Sequence, residues 1–326
     1  MVVRAAGDVN GDGFADLLIG AGNADTTTND DSGRAYVVFG KSNNTKVELS
    51  ALGTQGFVMN GAATFDAGWS VSNAGDVNGD GLTDLIVGAP NSGYRLGTSY
   101  VVFGQTGNAP IDLTNLGNNG FVLNGPTTGQ IRSGYSVSGA GDVNGDGLAD
   151  LLVGAYTLSV GSMNYVVFGQ TGTTAIDITN LGTRGFGISN STVSAFSGYS
   201  VSNAGDVNGD GLADLVVATP GSSTYYVVFG QTGNSTVDLL ALGTNGFAIV
   251  AGGGGTTSYR VSNAGDMNGD GLADLILIAP TSAYLVYGKA DTAQVNLTDV
   301  ANGAGGFRMP LGTTLPSAVS NAGDVN

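Results

Sequence analysis

Asp76-Val77-Asn78-Gly79-Asp80-Gly81-Leu82-Thr83-Asp84 alternates acidic or amide side chains with glycine, and its recurrence decides the fold. The wording Gly-Asp-Val/Met-Asn-Gly-Asp-Gly returns with its first Asp at Asp8, Asp76, Asp142, Asp206 and Asp266, and a sixth copy opens at Asp324 and stops at Asn326. The spacing contracts from 68 through 66, 64 and 60 to 58 residues, so length changes fall in loops while a core unit is kept. A fixed period of this size marks a repeat architecture. The repeats run over about 1–66, 67–132, 133–196, 197–256 and 257–315, with a partial copy at 316–326, and are expected to form one domain spanning 1–326.

Working outward from the loop, each unit holds four strand-length segments bounded by turn residues. In the second unit Trp69-Ser70-Val71-Ser72 alternates as a strand with one buried face does, and Asp84 to Gly88 is apolar enough to be buried on both faces. Tyr100 to Phe103 and Gly120 to Leu123 follow, and the third unit repeats the set at Tyr135 to Ser138, Asp150 to Gly154, Tyr165 to Phe168 and Gly185 to Ile188. No helical period is long enough to supply crossovers, so the sheets are expected to be antiparallel. A further stretch, Ile111 to Gly117, recurs at Ile176 to Gly182 and Val237 to Gly243, and is expected to plug the connection against the neighbouring sheet. The fold class predicted is all-β: a β-propeller of five four-stranded antiparallel blades, with the acidic loop in the hairpin between first and second strands.

Composition removes most chemistry. The 326 residues include no Cys and no His, which excludes disulfides, thiol nucleophiles, Ser-His-Asp triads and nearly all zinc or haem sites. A formal charge of −16 repels a phosphate backbone, so nucleic acid is not an expected partner. No run of about 18 apolar residues occurs, so no membrane insertion is expected. Met1-Val2-Val3-Arg4 does not read as a secretory leader and opens inside a repeat, as a piece of a larger protein would.

The loops themselves have a chemistry. Calcium takes six to eight oxygens, and Asp or Asn at offsets 1, 3 and 5 is the opening of a calcium loop, with glycines that let the backbone turn sharply around the ion. There is no Glu at offset 12, and the Asp at offset 9 is expected to close the site. The ligand sets read as Asp8, Asn10, Asp12 and Asp16; Asp76, Asn78, Asp80 and Asp84; Asp142, Asn144, Asp146 and Asp150; Asp206, Asn208, Asp210 and Asp214; Asp266, Asn268, Asp270 and Asp274. A main-chain carbonyl at offset 7, from Phe14, Leu82, Leu148, Leu212 or Leu272, joins each set. About five Ca²⁺, one per complete repeat, would bring the charge from −16 to −6, and these loops hold 15 of the 26 acidic residues. A lone Asn-Gly is an ordinary turn. Five copies of three clustered carboxylates are another matter, because without a cation they repel.

The units resemble the FG-GAP repeats of integrin α-subunit propellers, and their wording is similar to repeats of large secreted bacterial proteins. The naming elements stand at Phe39-Gly40, Phe103-Gly104, Phe168-Gly169 and Phe229-Gly230, and at Gly88-Ala89-Pro90 with weaker forms at Gly154-Ala155-Tyr156, Ala218-Thr219-Pro220 and Ile278-Ala279-Pro280. The resemblance implies a ring of blades with calcium in hairpin loops on one face and ligand binding on the opposite face or between blades. Family propellers commonly have seven repeats where this chain has five, and integrins carry calcium in only some of theirs.

The function expected is that of a non-catalytic, calcium-stabilised extracellular or cell-surface scaffold for binding or adhesion, with a glycan, a protein or a further copy of itself as partner. Tyr94, Arg95, Tyr156 and Tyr225 are candidate contacts, since aromatic faces and Arg forks dominate recognition. The alternatives are a self-assembling subunit of a fibre or surface layer, and a carboxylate-based glycosidase, which needs a paired acid and base. For the latter few acids remain: Asp112, Asp177 and Asp238 share a position that reads as a turn or cap, and Asp25, Asp31 and Asp66 stand singly.

Overall fold

The computed structural model describes residues 1–24, 31–62, 64–129, 131–155, 162–191, 196–251, 259–280, 282–311 and 319. They form five sheets, each built around four strands of one repeat. In the second repeat the inner strand Ser70–Gly75 pairs antiparallel with Asp84–Ala89, which pairs with Thr98–Val102, which pairs with Gly120–Asn124. The other repeats reproduce this order, and the strands expected from the sequence are present with ends that shift by up to three residues, as where Ser133–Gly141 stands for Tyr135 to Ser138.

The sheets differ from expectation by one strand. Ile176–Asp177, from the linker of the third repeat, pairs parallel with the outer strand of the second, Ile176 opposite Leu123. Ile111–Asp112 does the same for the first sheet, Val237–Asp238 for the third and Val295–Asn296 for the fourth. Four sheets are therefore five-stranded with one parallel edge, rather than four-stranded and wholly antiparallel. The linker that was expected to plug a gap closes an open strand edge with hydrogen bonds and ties each blade to the next. Among the described residues the outer strand of the fifth sheet, Gly306–Pro310, carries no such partner.

The core lies between blades. The inner strands of consecutive repeats pack side by side, and the first cluster joins Leu18, Phe57 and Met59 of one sheet to Leu85, Val87 and Tyr100 of the next. The second strands of the middle blades are buried at all six positions, which explains their unbroken apolar wording. At the two ends of the array such faces are not covered: Leu17 of the first blade's second strand is 48% exposed and Phe307 of the fifth blade's outer strand 42%, where their counterparts Leu85 and Phe121 are at 0% and 1%. Met267 is 60% exposed where Val77 is fully buried. The partial copy at 316–326, Val319 apart, falls outside the described residues.

The Phe-Gly element has a packing reason. Each Phe meets the Phe of its own outer strand edge-on, with centroids 6.0 Å apart for Phe103 and Phe121 and the same arrangement for Phe168 with Phe186 and Phe229 with Phe247. The Gly that follows has no room for a side chain. A Cβ on Gly104 would stand 2.5 Å from Cβ of Leu82, and one on Gly169 would stand 2.6 Å from Cβ of Leu148.

Candidate metal centre

Each inner strand ends on a glycine at positive φ, Gly75 at +78° for instance, where the pairing slips by one residue and the chain swings out into the acidic loop. Within the loop the side chains fold onto the loop's own amides. Asp76 Oδ1 accepts from the N–H of Gly79 at 2.7 Å and of Asp80 at 3.0 Å, and its Oδ2 accepts from Gly81 at 2.9 Å. Asn78 Oδ1 accepts from Asp80 N–H, and Asp80 Oδ1 accepts from Leu82 N–H. The loops at Asp8, Asp142, Asp206 and Asp266 repeat these contacts, including the Asn Nδ2 that donates to the Asp two residues on. Glycine is needed where the turn demands it: Gly79 and Gly81 hold φ of +79° and +87°.

The Asp at offset 9 stands apart from the others. Asp84 is fully buried, its Oδ2 accepting from Val77 N–H at 2.8 Å and its Oδ1 from Gly104 N–H at 2.8 Å. Asp150 takes Val143 and Gly169, Asp214 takes Val207 and Gly230, and Asp16 and Asp274 take the matching pairs. This carboxylate therefore bolts the acidic loop to the Phe-Gly element of the third strand, a role that the sequence pattern alone did not show. Burial pushes the carboxyl of Asp84 up to about 6, and those of Asp150 and Asp214 up to about 7, against the pull of their two amide donors and with a smaller push from the two other Asp of each loop. The exposed Asp266, by contrast, is held below the usual carboxylate range by amides, that of Gly271 foremost.

Successive loops are joined through the main chain. Asp8 C=O accepts from Thr83 N–H at 3.0 Å, Asp76 C=O from Ala149, Asp142 C=O from Ala213, and Asp206 C=O from Ala273. The five loops thus line one end of the array as a linked series. Among the described residues no three acidic side chains are gathered into a ready-made cage. The donor set nonetheless fits a hard cation: all side-chain donors are oxygens, and an Asp oxygen that accepts one amide proton keeps a further lone pair for an ion.

The remaining candidates separate clearly. Asp112 accepts from the N–H and hydroxyl of Thr114, Asp177 does the same with Thr179, and Asp238 accepts from Leu240 N–H. These are turn caps, as expected. Asp66 accepts from Asn91 Nδ2, and burial raises its carboxyl, with Asp31 near enough to add to the effect. Tyr225 is not a surface contact: it is fully buried and donates its hydroxyl to Ile278 C=O at 2.5 Å, because its strand is covered on both faces by neighbouring blades. Arg95 is exposed at the end of the short helix Ser92–Arg95. The side chain of Tyr94 and the whole of Tyr156 lie outside the described residues. At the end remote from the loops the inner strands enclose a cavity of about 750 Å³.

Five repeated all-β sheets, tied edge to edge and bearing one acidic hairpin loop each, define a propeller-like repeat scaffold. The FG-GAP repeat model matches residues 5–38, 67–102, 133–178, 197–240 and 258–295, more than half of the chain, and the protein belongs to that family. Among curated relatives, integrin alpha-6 of Gallus gallus is 30% identical over 153 residues, 47% of this chain and 13% of that protein. Integrin alpha-PS5 of Drosophila melanogaster is 32% identical over 169 residues, 49% of this chain and 15% of that protein. Phosphatidylinositol-glycan-specific phospholipase D of Mus musculus is 33% identical over 164 residues, 47% of this chain and 18% of that protein. The chain spans less than a fifth of the length of these relatives.

Proposed function

We propose that this chain is a non-catalytic, calcium-stabilised scaffold that works outside the cell, presenting a surface for a glycan or protein ligand. The observation that carries the reading is the fivefold repetition of one oxygen-donor array, linked from blade to blade through Asp main-chain carbonyls. Calcium would be held in each loop by the residues at offsets 1, 3, 5 and 9 and the carbonyl at offset 7, for example Asp142, Asn144, Asp146, Asp150 and Leu148. The ion supplies positive charge to a cluster of carboxylates and couples the loop to the hairpin beneath it. The five repeats then act as one domain. Relatives named integrin support a role in adhesion, and the phospholipase relative is matched over less than a fifth of its length. Among the described residues no helix is long and apolar enough to cross a membrane.

The test is a count of bound ions. Equilibrium dialysis against calcium is expected to give five ions per chain, and four for Asp146→Ala, whose side chain bonds only within its own loop. No bound calcium in the parent protein rejects the reading, and release of product from a retained glycan rejects its non-catalytic part.

Self-association is a second reading, favoured by the exposed Leu17, Phe307 and Met267, whose counterparts are buried between blades. Assemblies larger than one chain in calcium, measured by sedimentation, are expected on this reading, and a monomer at high concentration removes it.

A further inference from the structure

The repeats are so alike that their differences are informative, and two of these converge on the central cavity. At the position four residues before the first loop Asp, four repeats carry Ser72, Ser138, Ser202 and Ser262, and the first repeat carries Arg4. At the position six before it, three repeats carry Ser70, Ser136 and Ser200, and the fifth carries Arg260. Both arginines line the cavity. They are close enough that Arg260 adds to the burial that lowers the pKa of Arg4. Among the described lining residues there is no carboxylate, in a chain with 26 acidic residues and a net charge of −16. The cavity is a positive opening in a negative protein.

One step further out, seven residues before the loop Asp, stand Trp69, Tyr135 and Tyr199. Their rings meet in series around the cavity: Trp69 and Tyr135 are 5.8 Å apart between centroids, Tyr135 and Tyr199 5.7 Å. The Arg260 guanidinium continues the arc, 4.6 Å from the centroid of Tyr199. The fourth aromatic in this register, Tyr259, is turned away and fully buried against Tyr225, so Arg260 takes the place where a fourth ring would stand. The serine hydroxyls beside the arc donate to main-chain carbonyls, Ser72 to Asn73 and Ser202 to Asn203, which leaves their oxygens able to accept.

We propose that this cavity is a binding site for an acidic saccharide, a sugar bearing a carboxylate of the uronic-acid type. The arc Trp69–Tyr135–Tyr199 receives the C–H faces of sugar rings, which pack on aromatic surfaces. Arg4 and Arg260 receive the carboxylate, for which the guanidinium fork is shaped. The serine oxygens accept from sugar hydroxyls. A volume of about 750 Å³ falls in the range of small-ligand sites, and the end remote from the calcium loops leaves those loops untouched. The inference rests on the scaffold reading and gives it a ligand class.

Trp69 is the only tryptophan of the chain, so intrinsic fluorescence reports on this cavity directly. Digalacturonate, neutral digalactose and inorganic sulfate are titrated at fixed excess calcium, with isothermal calorimetry alongside. Digalacturonate is expected to change the Trp69 emission saturably, with digalactose and sulfate each weaker by about tenfold or more. Arg4→Gln and Arg260→Gln are each expected to weaken digalacturonate by about tenfold or more, with calcium-dependent melting unchanged in Arg4→Gln, a half-buried side chain in the half of the inner strand remote from the loop. Trp69→Phe keeps a ring, and is expected to retain calorimetric binding that Trp69→Ala loses. Equal binding of acidic and neutral sugars, equal binding of sulfate, or indifference to both Arg substitutions overturns the assignment. Failure of calcium to stabilise the protein while digalacturonate still binds overturns the scaffold reading and leaves this site standing.

Discussion

An excess of calcium chelator is expected to lower the melting temperature by on the order of 20 °C, the largest single effect in this protein. A ligand that binds only the folded state adds about 2.7 kcal/mol at a hundredfold excess over its Kd, so five sites add on the order of 13 kcal/mol. An unfolding entropy of about 2.1 cal/mol/K per residue converts that into the stated shift for a chain of this length. The physical origin is the loop. Each hairpin carries three carboxylates within nine residues, one of them buried, as at Asp84, whose carboxyl is pushed up by burial and further by the other two, and a cation drawing them together would offset that repulsion. Differential scanning calorimetry with and without chelator checks this, and magnesium is expected to restore little, since it demands tighter octahedral geometry than a glycine-rich loop offers. A melting temperature indifferent to chelator overturns the assignment of all five loops.

Asp150→Ala is expected to be the most damaging loop substitution, and its cost is expected to persist when calcium is absent. Asp150 is fully buried and accepts from Val143 N–H at 2.8 Å and Gly169 N–H at 2.9 Å. Removing the side chain orphans both amides, at about 1–3 kcal/mol each. Asp146 is exposed and bonds only within its loop, so Asp146→Ala in chelator is expected to stay within about 0.5 kcal/mol of the parent. Asp150→Asn separates charge from shape. Asn removes the charge but keeps only one acceptor oxygen, its NH2 facing one of the two backbone N–H groups that Asp150 accepts from, so Asp150→Asn is expected to fall between the parent and Asp150→Ala in chelator and to lose further ground to the parent when calcium is added. Urea unfolding of the three variants, each with chelator and with calcium, makes the comparison. If Asp150→Ala in chelator is no less stable than Asp146→Ala, the bolt between loop and Phe-Gly element does not bear on folding.

Much of this molecule was legible in the chain because its information is local and repeated. The hairpin is announced by Asn78-Gly79-Asp80-Gly81, where glycine supplies positive φ, and the flanking strands by period-2 alternation or an unbroken apolar run. Five copies make each signal its own control. The turn caps at Asp112, Asp177 and Asp238 were likewise readable, since an Asx side chain reaches its own backbone two residues on.

What escaped is nonlocal. The parallel strand Ile176–Asp177 belongs by sequence to one blade and by hydrogen bonding to the blade before it, and no periodicity within a segment records which open edge it will find. Tyr225, a candidate contact because aromatic faces dominate recognition, is buried because neighbouring blades cover both faces of its strand. The aromatic arc left a sequence trace, an aromatic residue seven places before the loop Asp in four repeats, that aligning the repeats for their aromatics would have found. The sequence by itself thus determined the repeat, its strands and its oxygen-donor loops, because these depend on residues within a few places of one another. Only the tertiary structure decided that the offset-9 Asp bolts two hairpins together, and that Arg4 and Arg260, 256 residues apart, face one cavity. Side-by-side packing of successive inner strands brings distant repeats around one axis, and that closeness is a property of the assembled array rather than of any segment.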